Sequence, residues 1–345
     1  MTNKHMSYDL KQMQSIPLEG KILMSKERIR QWREYWGGMV YVGFSGGIDS
    51  TVLKHLVDSM YDDVPSMFAN TGLEYPEIQK FVRDIKNGKY DCFNSDVEIV
   101  RPEMRFDEVV RKFGYPVISK PVAHNVDIAR RHPDGKVAKN IMYNPNRTGL
   151  FNHYKWNFLI DAPFCVSDKC CNVMKKQPSK NYAKRTGRKP MLGTMADESK
   201  LRYAEWMRNG CNSFEGSNPT SKPLSFWTKQ DILQYIKKYN VPYCPVYGDI
   251  VPKGAKERMS AYEFIGDFEG IELTTTGCDR TGCIFCAFGC HLEKEPNRFQ
   301  KLKETHPRQY EYCINGGEMV DGKWQPNKEG LGMGKVLDFI EVKYD

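Results

Sequence analysis

The chain has 345 residues, of which 40% are hydrophobic and 27% charged, and carries a formal net charge of +8. That balance excludes a disordered polar tail and a small disulfide-stapled domain, and it allows one large α/β domain with appendages or two domains. No apolar run reaches the roughly 18 residues needed to span a bilayer, and Met1-Thr-Asn-Lys-His-Met-Ser-Tyr8 carries no apolar signal segment, so a cytoplasmic location without a membrane partner is expected.

In chain order, residues 1–24 read as an N-terminal extension and Ser25–Trp36 as an opening helix with Ser25 at its N-cap. Val40-Tyr41-Val42 is the first strand. A helix starts near Ile48 and continues over Thr51–Met60, Ser66–Ala69 is a second strand, and Tyr75–Asn87 a second helix. Val97–Arg101 is a third strand and Arg105–Phe113 returns to helical spacing. This alternation predicts an α/β fold with a doubly wound, mostly parallel sheet. Residues 132–155, with Pro133-Asp-Gly, Asn144-Pro-Asn and Arg147-Thr-Gly, read as an insertion or lid inside an α/β domain over 25–247. Residues 248–345, rich in Cys, Gly and charge, read as an appended C-terminal module.

Between the first strand and its helix lies Phe44-Ser-Gly-Gly-Ile-Asp-Ser50. Gly46 and Gly47 let the backbone take positive φ and bring its amides close to an anion. The Ser45 and Ser50 hydroxyls add donors, and the first turn of the helix at Ile48 adds unpaired N–H groups and the positive end of its dipole. Asp49 repels phosphate unless a cation stands between them, so it is read as a Mg²⁺ or water contact.

The string lacks the Gly-Lys-Ser/Thr ending of a Walker A loop. It resembles the PP-loop of the ATP pyrophosphatase superfamily, in which adenine nucleotides are cleaved between the α and β phosphates or bound. Phe68-Ala-Asn-Thr-Gly-Leu-Glu-Tyr-Pro76, Gly193-Thr-Met-Ala-Asp-Glu-Ser-Lys-Leu-Arg202 and Pro223-Leu-Ser-Phe-Trp-Thr-Lys-Gln-Asp231 with Asn240–Tyr247 are similar to stretches of the phosphoadenosine phosphosulfate (PAPS) reductase family. The resemblance spans roughly residues 25–315 and implies nucleotide contacts from Phe44, Ser45, Gly46, Gly47, Ile48, Asp49, Ser50, Asn70, Thr71, Gly72, Lys120, Gly193 and Arg202, with Lys175 and Lys176 as further cations. Where many relatives carry an inner Arg, this chain has Gly193-Thr-Met195, and a bidentate anion clamp is lost with it.

Eleven cysteines in a chain expected to stay in a reducing compartment point to metal or sulfur chemistry rather than disulfides. Cys165, Cys170 and Cys171 form one cluster; Cys278, Cys283, Cys286 and Cys290 form another around a Cys-x-x-Cys core. Zinc and iron–sulfur clusters both accept four thiolates. The family resemblance implies one 4Fe-4S cluster on Cys170, Cys171, Cys283 and Cys286. A rival set, Cys278, Cys283, Cys286 and Cys290, is similar in order to that of DNA phosphorothioation enzymes of the superfamily. In the split arrangement Cys290 is left over, in a setting similar to the reductases' attacking thiol. Cys92, Cys211, Cys244 and Cys313 read as buried small hydrophobes.

The intact loop points to ATP and Mg²⁺, with Asp49 and Ser45 in catalysis, pyrophosphate as leaving group, and sulfur transfer to an adenylated acceptor from a donor protein or thiol. The resemblance equally implies a sulfonucleotide reductase that takes adenylyl sulfate, uses a thiol reductant and releases sulfite. A third reading is a non-catalytic nucleotide-binding subunit of a nucleic-acid modification or defence complex; the positive charge suits a nucleic acid as well as a nucleotide. Acceptor, donor and oligomeric state are not encoded legibly.

Overall fold

The computed structural model describes residues 4–149, 152–254 and 270–345. Two compact units interleave along the chain: one comprises the described residues of Met1–Asn70, Glu74–Val100 and Ser179–Thr281, the other Thr71–Leu73, Arg101–Pro178 and Gly282–Asp345. The stretch 248–345 is therefore shared between the units at Thr281/Gly282. Residues 255–269, and 150–151 of the expected insertion, lie outside the described residues.

The first unit opens with helices α1 (Ser7–Gln14) and α2 (Leu18–Tyr35). Helix α2 starts well before the expected N-cap. Ile22, Ile29 and Trp32, with Leu18 packed beside them, form one continuous apolar stripe, and Ser25 is buried within the helix. Its Oγ donates to the Pro223 carbonyl at 2.9 Å and accepts from Trp227 Nε1 at 2.8 Å. Ser25 is thus a core polar group rather than a cap, and Leu10 and Ile22 of the supposed extension belong to the core.

Strands β1 (Val40–Gly43), β2 (Ser66–Ala69), β3 (Val97–Val100), β4 (Lys189–Leu192), β5 (Asn212–Ser213) and β6 (Thr220–Ser221) form a sheet in the order β3-β2-β1-β4-β6-β5. Every pairing is parallel except β5 with β6. Val40, Tyr41 and Val42 are all buried, as expected of a central parallel strand covered on both faces. On one side Tyr41 and Met67 pack on Tyr182 of helix α5 (Gln177–Thr186), once α3 (Ile48–Asp58) and α4 (Pro76–Lys86) are counted. The large cluster holding Val42, Phe44, Val52, Leu56, Phe81 and Trp227 joins the sheet to α2, α3 and α4.

Helices α6 (Lys200–Asn209) and α7 (Lys229–Lys238) follow, then the antiparallel pair β7 (Ile250–Pro252) and β8 (Leu273–Thr275). The start of α7 explains much of the Pro223–Asp231 stretch. Thr228 is its N-cap, Asp231 Oδ2 accepts from the Thr228 amide at 2.6 Å, and both Asp231 oxygens take the buried Lys21 ammonium at 2.7 Å. These residues hold helices together rather than line a site.

In the second unit Val117–Ile118 pairs in parallel with Ala287–Phe288. The helix Lys120–Arg131 follows, capped by Ser119 Oγ, and Arg130 clamps the carbonyls of Ile160, Ala162 and Phe164. Three helices, Arg298–Thr305, Pro307–Ile314 and Met333–Phe339, close the chain. Among the described residues no helix is long and apolar enough to cross a membrane.

Candidate functional site

Chain order runs outward from β1 through β2 to β3 on one side, then returns to β4 on the other side of β1. The crevice at the carboxyl ends of β1 and β4 is therefore the topological switch point, where open α/β sheets bind ligands. Loop 44–47 and Gly193 leave the sheet there. A Cβ on Gly193 would stand 2.7 Å from the Asp49 carbonyl oxygen and 3.0 Å from Ser50 Cα. Only glycine permits that approach.

Within the loop, Gly46 takes φ +73°. Ser50 Oγ accepts the Ser45 amide at 3.1 Å, lies 2.9 Å from Ser45 Oγ and donates to the Gly47 carbonyl at 2.9 Å. The Ile48 amide, first in α3, donates to Tyr247 Oη at 3.2 Å, and that hydroxyl lies 2.7 Å from Thr281 Oγ1. Segment 276–281 is carried to the loop by the 245–249 turn: the amides of Gly277 and Cys278 donate to the carbonyls of Tyr247 and Val246, both at 2.9 Å.

Burial pushes the Asp49 carboxyl up to about 6, against the opposing pull of Arg280, Arg202 and Lys229. Arg202 pairs with Glu198, and Arg280 reaches the same carboxylate at 3.2 Å. Lys229 pairs with Asp279. Burial, and then the neighbouring Arg280, lower the Arg202 guanidinium. Three cations thus converge on the first turn of a helix that already presents positive potential. Arg280 and Thr281 lie outside the stretches that carry the resemblance at the nucleotide site, and Lys229 and Tyr247 lie inside such stretches without an assigned nucleotide contact; the structure brings all four to the start of α3. Arg280 and Thr281 sit inside Cys278–Cys283, a stretch that draws attention to its thiols.

Asn70 follows β2, its amide donating to the Val100 carbonyl at 2.8 Å. Gly72 takes φ +73°, and the Thr71 hydroxyl accepts the Leu73 amide at 3.2 Å. Loop and strand end leave the same edge of the sheet because β1 and β2 are parallel.

The thiols Cys170, Cys171, Cys283 and Cys286 belong to the second unit. Cys170 and Cys171 begin a helical stretch that passes through a π turn over Asn172–Lys176 before α5, a local widening often found at functional sites. Their sulfurs are 4.0 Å apart. Cys283 and Cys286 lie on a turn closed by the Cys286 amide on the Cys283 carbonyl at 3.1 Å, and the Ile284 amide donates to the Leu73 carbonyl at 2.9 Å. The Cys170 thiol is pushed up by its hydrogen bond to Cys171, by burial, and by Cys171, Cys286 and Cys283. Cys171 is drawn down to about 6 by the Cys170 thiol, against burial and with help from Lys120 and Lys175. Lys120 is therefore beside Cys171, the two segments being joined by the parallel bridge of Tyr115 with Val166.

Cys290 is different. It is buried, donates to the Ala287 carbonyl at 3.0 Å, and burial pushes its thiol up to about 12 despite Arg298. A nucleophile needs a populated thiolate, so the setting does not favour the attacking role expected for Cys290. Cys278 lies in the first unit, where it is an electrostatic neighbour of Cys244. Cys211, Cys244 and Cys313 are buried as expected, whereas Cys92 is exposed, the core place beside it being taken by Phe93. Among the described residues no three His, Cys, Asp or Glu side chains stand close enough to hold a single metal ion.

A glycine-bent loop at the switch point of a mainly parallel sheet defines the chain as an α/β protein of the open, doubly wound class. The sequence pattern of the phosphoadenosine phosphosulfate reductase domain matches residues 39–125 and 122–287. The chain belongs to that family, and so to a family of sulfur metabolism. Among solved structures, phosphoadenylyl-sulfate (PAPS) reductase from Candida auris, crystallised with phosphate, is similar at 15% identity over 71% of this chain and 92% of that one, with a TM-score of 0.38. No curated protein sequence matches the chain.

Proposed function

We propose that the chain is an adenine-nucleotide enzyme that holds phosphates on loop 44–50 and splits ATP between its α and β phosphates. The carrying observation is the grouping of Arg202, Arg280 and Lys229 around Asp49 at the start of α3. An acceptor oxygen attacks the α phosphorus, the bond to the bridging oxygen breaks, and pyrophosphate leaves with the electron pair. Charge on that leaving group is what fixed cations and helix amides stabilise. A sulfide-level sulfur then displaces AMP from the activated acceptor.

Asp49 is a carboxylate raised by burial despite three cations, a setting that suits a further cation. Mg²⁺ would be held there together with phosphate oxygens, and would neutralise their charge. Cys170, Cys171, Cys283 and Cys286 fit a 4Fe-4S cluster: the donors are all thiols of one unit, they feel one another electrostatically, and Lys120, Lys175 and Arg298 offset their charge. Bound there, the cluster would supply a reservoir of electrons and sulfide.

The family match favours a second reading, reduction of an adenylyl sulfate with release of sulfite. The buried, hydrogen-bonded state of Cys290 weighs against it. A product assay decides: anaerobically prepared protein is given ATP or an adenylyl sulfate, and pyrophosphate and sulfite are measured. Pyrophosphate from ATP alone is the expected result. Sulfite without pyrophosphate would establish the reductase reading instead, and neither product with retained ATP binding would leave the non-catalytic subunit.

A further inference from the structure

The positive charge of this chain is concentrated in one short stretch. Residues 175–189, Lys-Lys-Gln-Pro-Ser-Lys-Asn-Tyr-Ala-Lys-Arg-Thr-Gly-Arg-Lys, carry seven cations and no acid, while the whole chain has a net charge of +8. Everything outside this stretch is close to neutral. Most of the stretch is α5 and the turn into β4.

Three of its cations are committed to the fold. Arg188 donates to the carbonyls of Gly38 and Val40, at 3.3 and 3.1 Å, Lys189 lies over the Trp36 ring at 5.0 Å, and Arg185 pairs with Glu98. Lys180 and Lys184 are exposed and form no ion pair among the described residues. They stand one helical turn apart on a single face, about 6 Å along the axis, which is close to two charge repeats of one B-form strand at about 3.4 Å each. Lys176 precedes Lys180 by the same interval in sequence. Seven like charges in so short a segment repel one another, a cost that the fold itself gains nothing from at Lys180 and Lys184.

We propose that the exposed face of α5 is a nucleic-acid contact surface that grips the phosphate backbone through Lys180 and Lys184, with Arg185 joining when it leaves Glu98. Thr186 beside them is committed to the helix, its hydroxyl donating to the Tyr182 carbonyl at 2.9 Å, so the lysines themselves are the contact groups. A membrane-surface helix needs large apolar side chains on its lower face. Here Tyr182 is buried against Tyr41, and no exposed large hydrophobic residue occurs between 175 and 189. The surface is separate from loop 44–50 in its role, so it holds whichever nucleotide chemistry the loop performs.

The test is binding of fluorescent DNA duplex, single-stranded DNA and single-stranded RNA of mixed sequence to the full chain, without nucleotide, between about 50 and about 200 mM salt. With two to three cations engaged, the slope of log affinity against log salt should be about −2 to −3 on duplex. The double variant Lys180→Glu/Lys184→Glu should lose at least about tenfold in affinity and flatten that slope, while keeping its thermal transition and ATP binding. The charge-retaining Lys180→Arg/Lys184→Arg should bind like the parent. Failure of the parent to bind any of the three polymers, equal binding by the charge-reversed variant, or tighter binding to phosphatidylserine vesicles than to nucleic acid would each overturn the proposal.

Discussion

The Tyr247 hydroxyl accepts the Ile48 amide at 3.2 Å, joining residues 199 positions apart at the start of α3. The phenol occupies one of the orphan donors of the helix N-terminus, and its oxygen lies 2.7 Å from Thr281 Oγ1. Burial raises the phenol to about 12, so it stays neutral through the physiological range. The phosphate proposed for loop 44–50 would address the same end of the helix as this hydroxyl.

Tyr247→Phe removes the acceptor without removing the ring. The expected outcome is a loss of about 1 kcal/mol in urea unfolding, together with a measurable change in nucleotide affinity by titration calorimetry. Unchanged affinity would show that the phenol caps the helix and takes no part in the ligand.

Gly193→Ala places a methyl against the backbone of Asp49 and Ser50, which has no flexible end to give way. The strand end and loop must separate, at an expected cost of about 1–3 kcal/mol, and nucleotide binding should fall sharply. At Gly72 a Cβ meets open space and only positive φ opposes it, so Gly72→Ala should cost about 1–2 kcal/mol and spare the loop.

The Asp49 carboxyl sets a pH dependence. Below about pH 4 it is protonated in both folded and unfolded chains and does not affect their balance. Between there and pH 6 the unfolded chain gives up this proton first, so stability falls as pH rises, and the cost is complete above the folded value of about 6. Asp49→Asn should raise the stability of the nucleotide-free protein at pH 7.5 by about 3 kcal/mol and abolish pyrophosphate release. Parent activity should rise through about pH 6 as the carboxyl ionises. A variant both less stable and fully active would reject this role.

For the thiols, anaerobically purified protein is expected to be brown and to contain iron, and Ser in place of Cys170, Cys171, Cys283 or Cys286 should each remove both. Cys278→Ser and Cys290→Ser should keep both. Iron retained in the first four variants and lost in the last two would shift the ligands to the alternative set.

Asp231→Ala tests the structural reading of the Pro223–Asp231 stretch. It strands the Lys21 ammonium, whose side chain is 3% exposed, and removes the capping contacts to Thr228. The expected loss is about 3–5 kcal/mol. Replacing both partners, as in Lys21→Met/Asp231→Leu, should recover most of the ion-pair part of that loss in denaturant unfolding.

Local pattern and tertiary contact divided the molecule between them. Local pattern was enough for the strands at Val40, Ser66 and Val97, their parallel pairing and the glycine-bent turn into the helix at Ile48, because strand–helix alternation and glycine geometry are written in a few neighbours. It misplaced the start of α2, since a serine inside an apolar stripe has the composition of a cap and only its burial against Trp227 shows otherwise. Tertiary structure alone decided that Arg280, Lys229 and Tyr247 ring Asp49, that Lys120 belongs with Cys171, and that Cys290 is packed away. Those outcomes depend on charges and hydroxyls brought together across long chain separations, where electrostatic and packing energies act through space and leave no local periodicity to read.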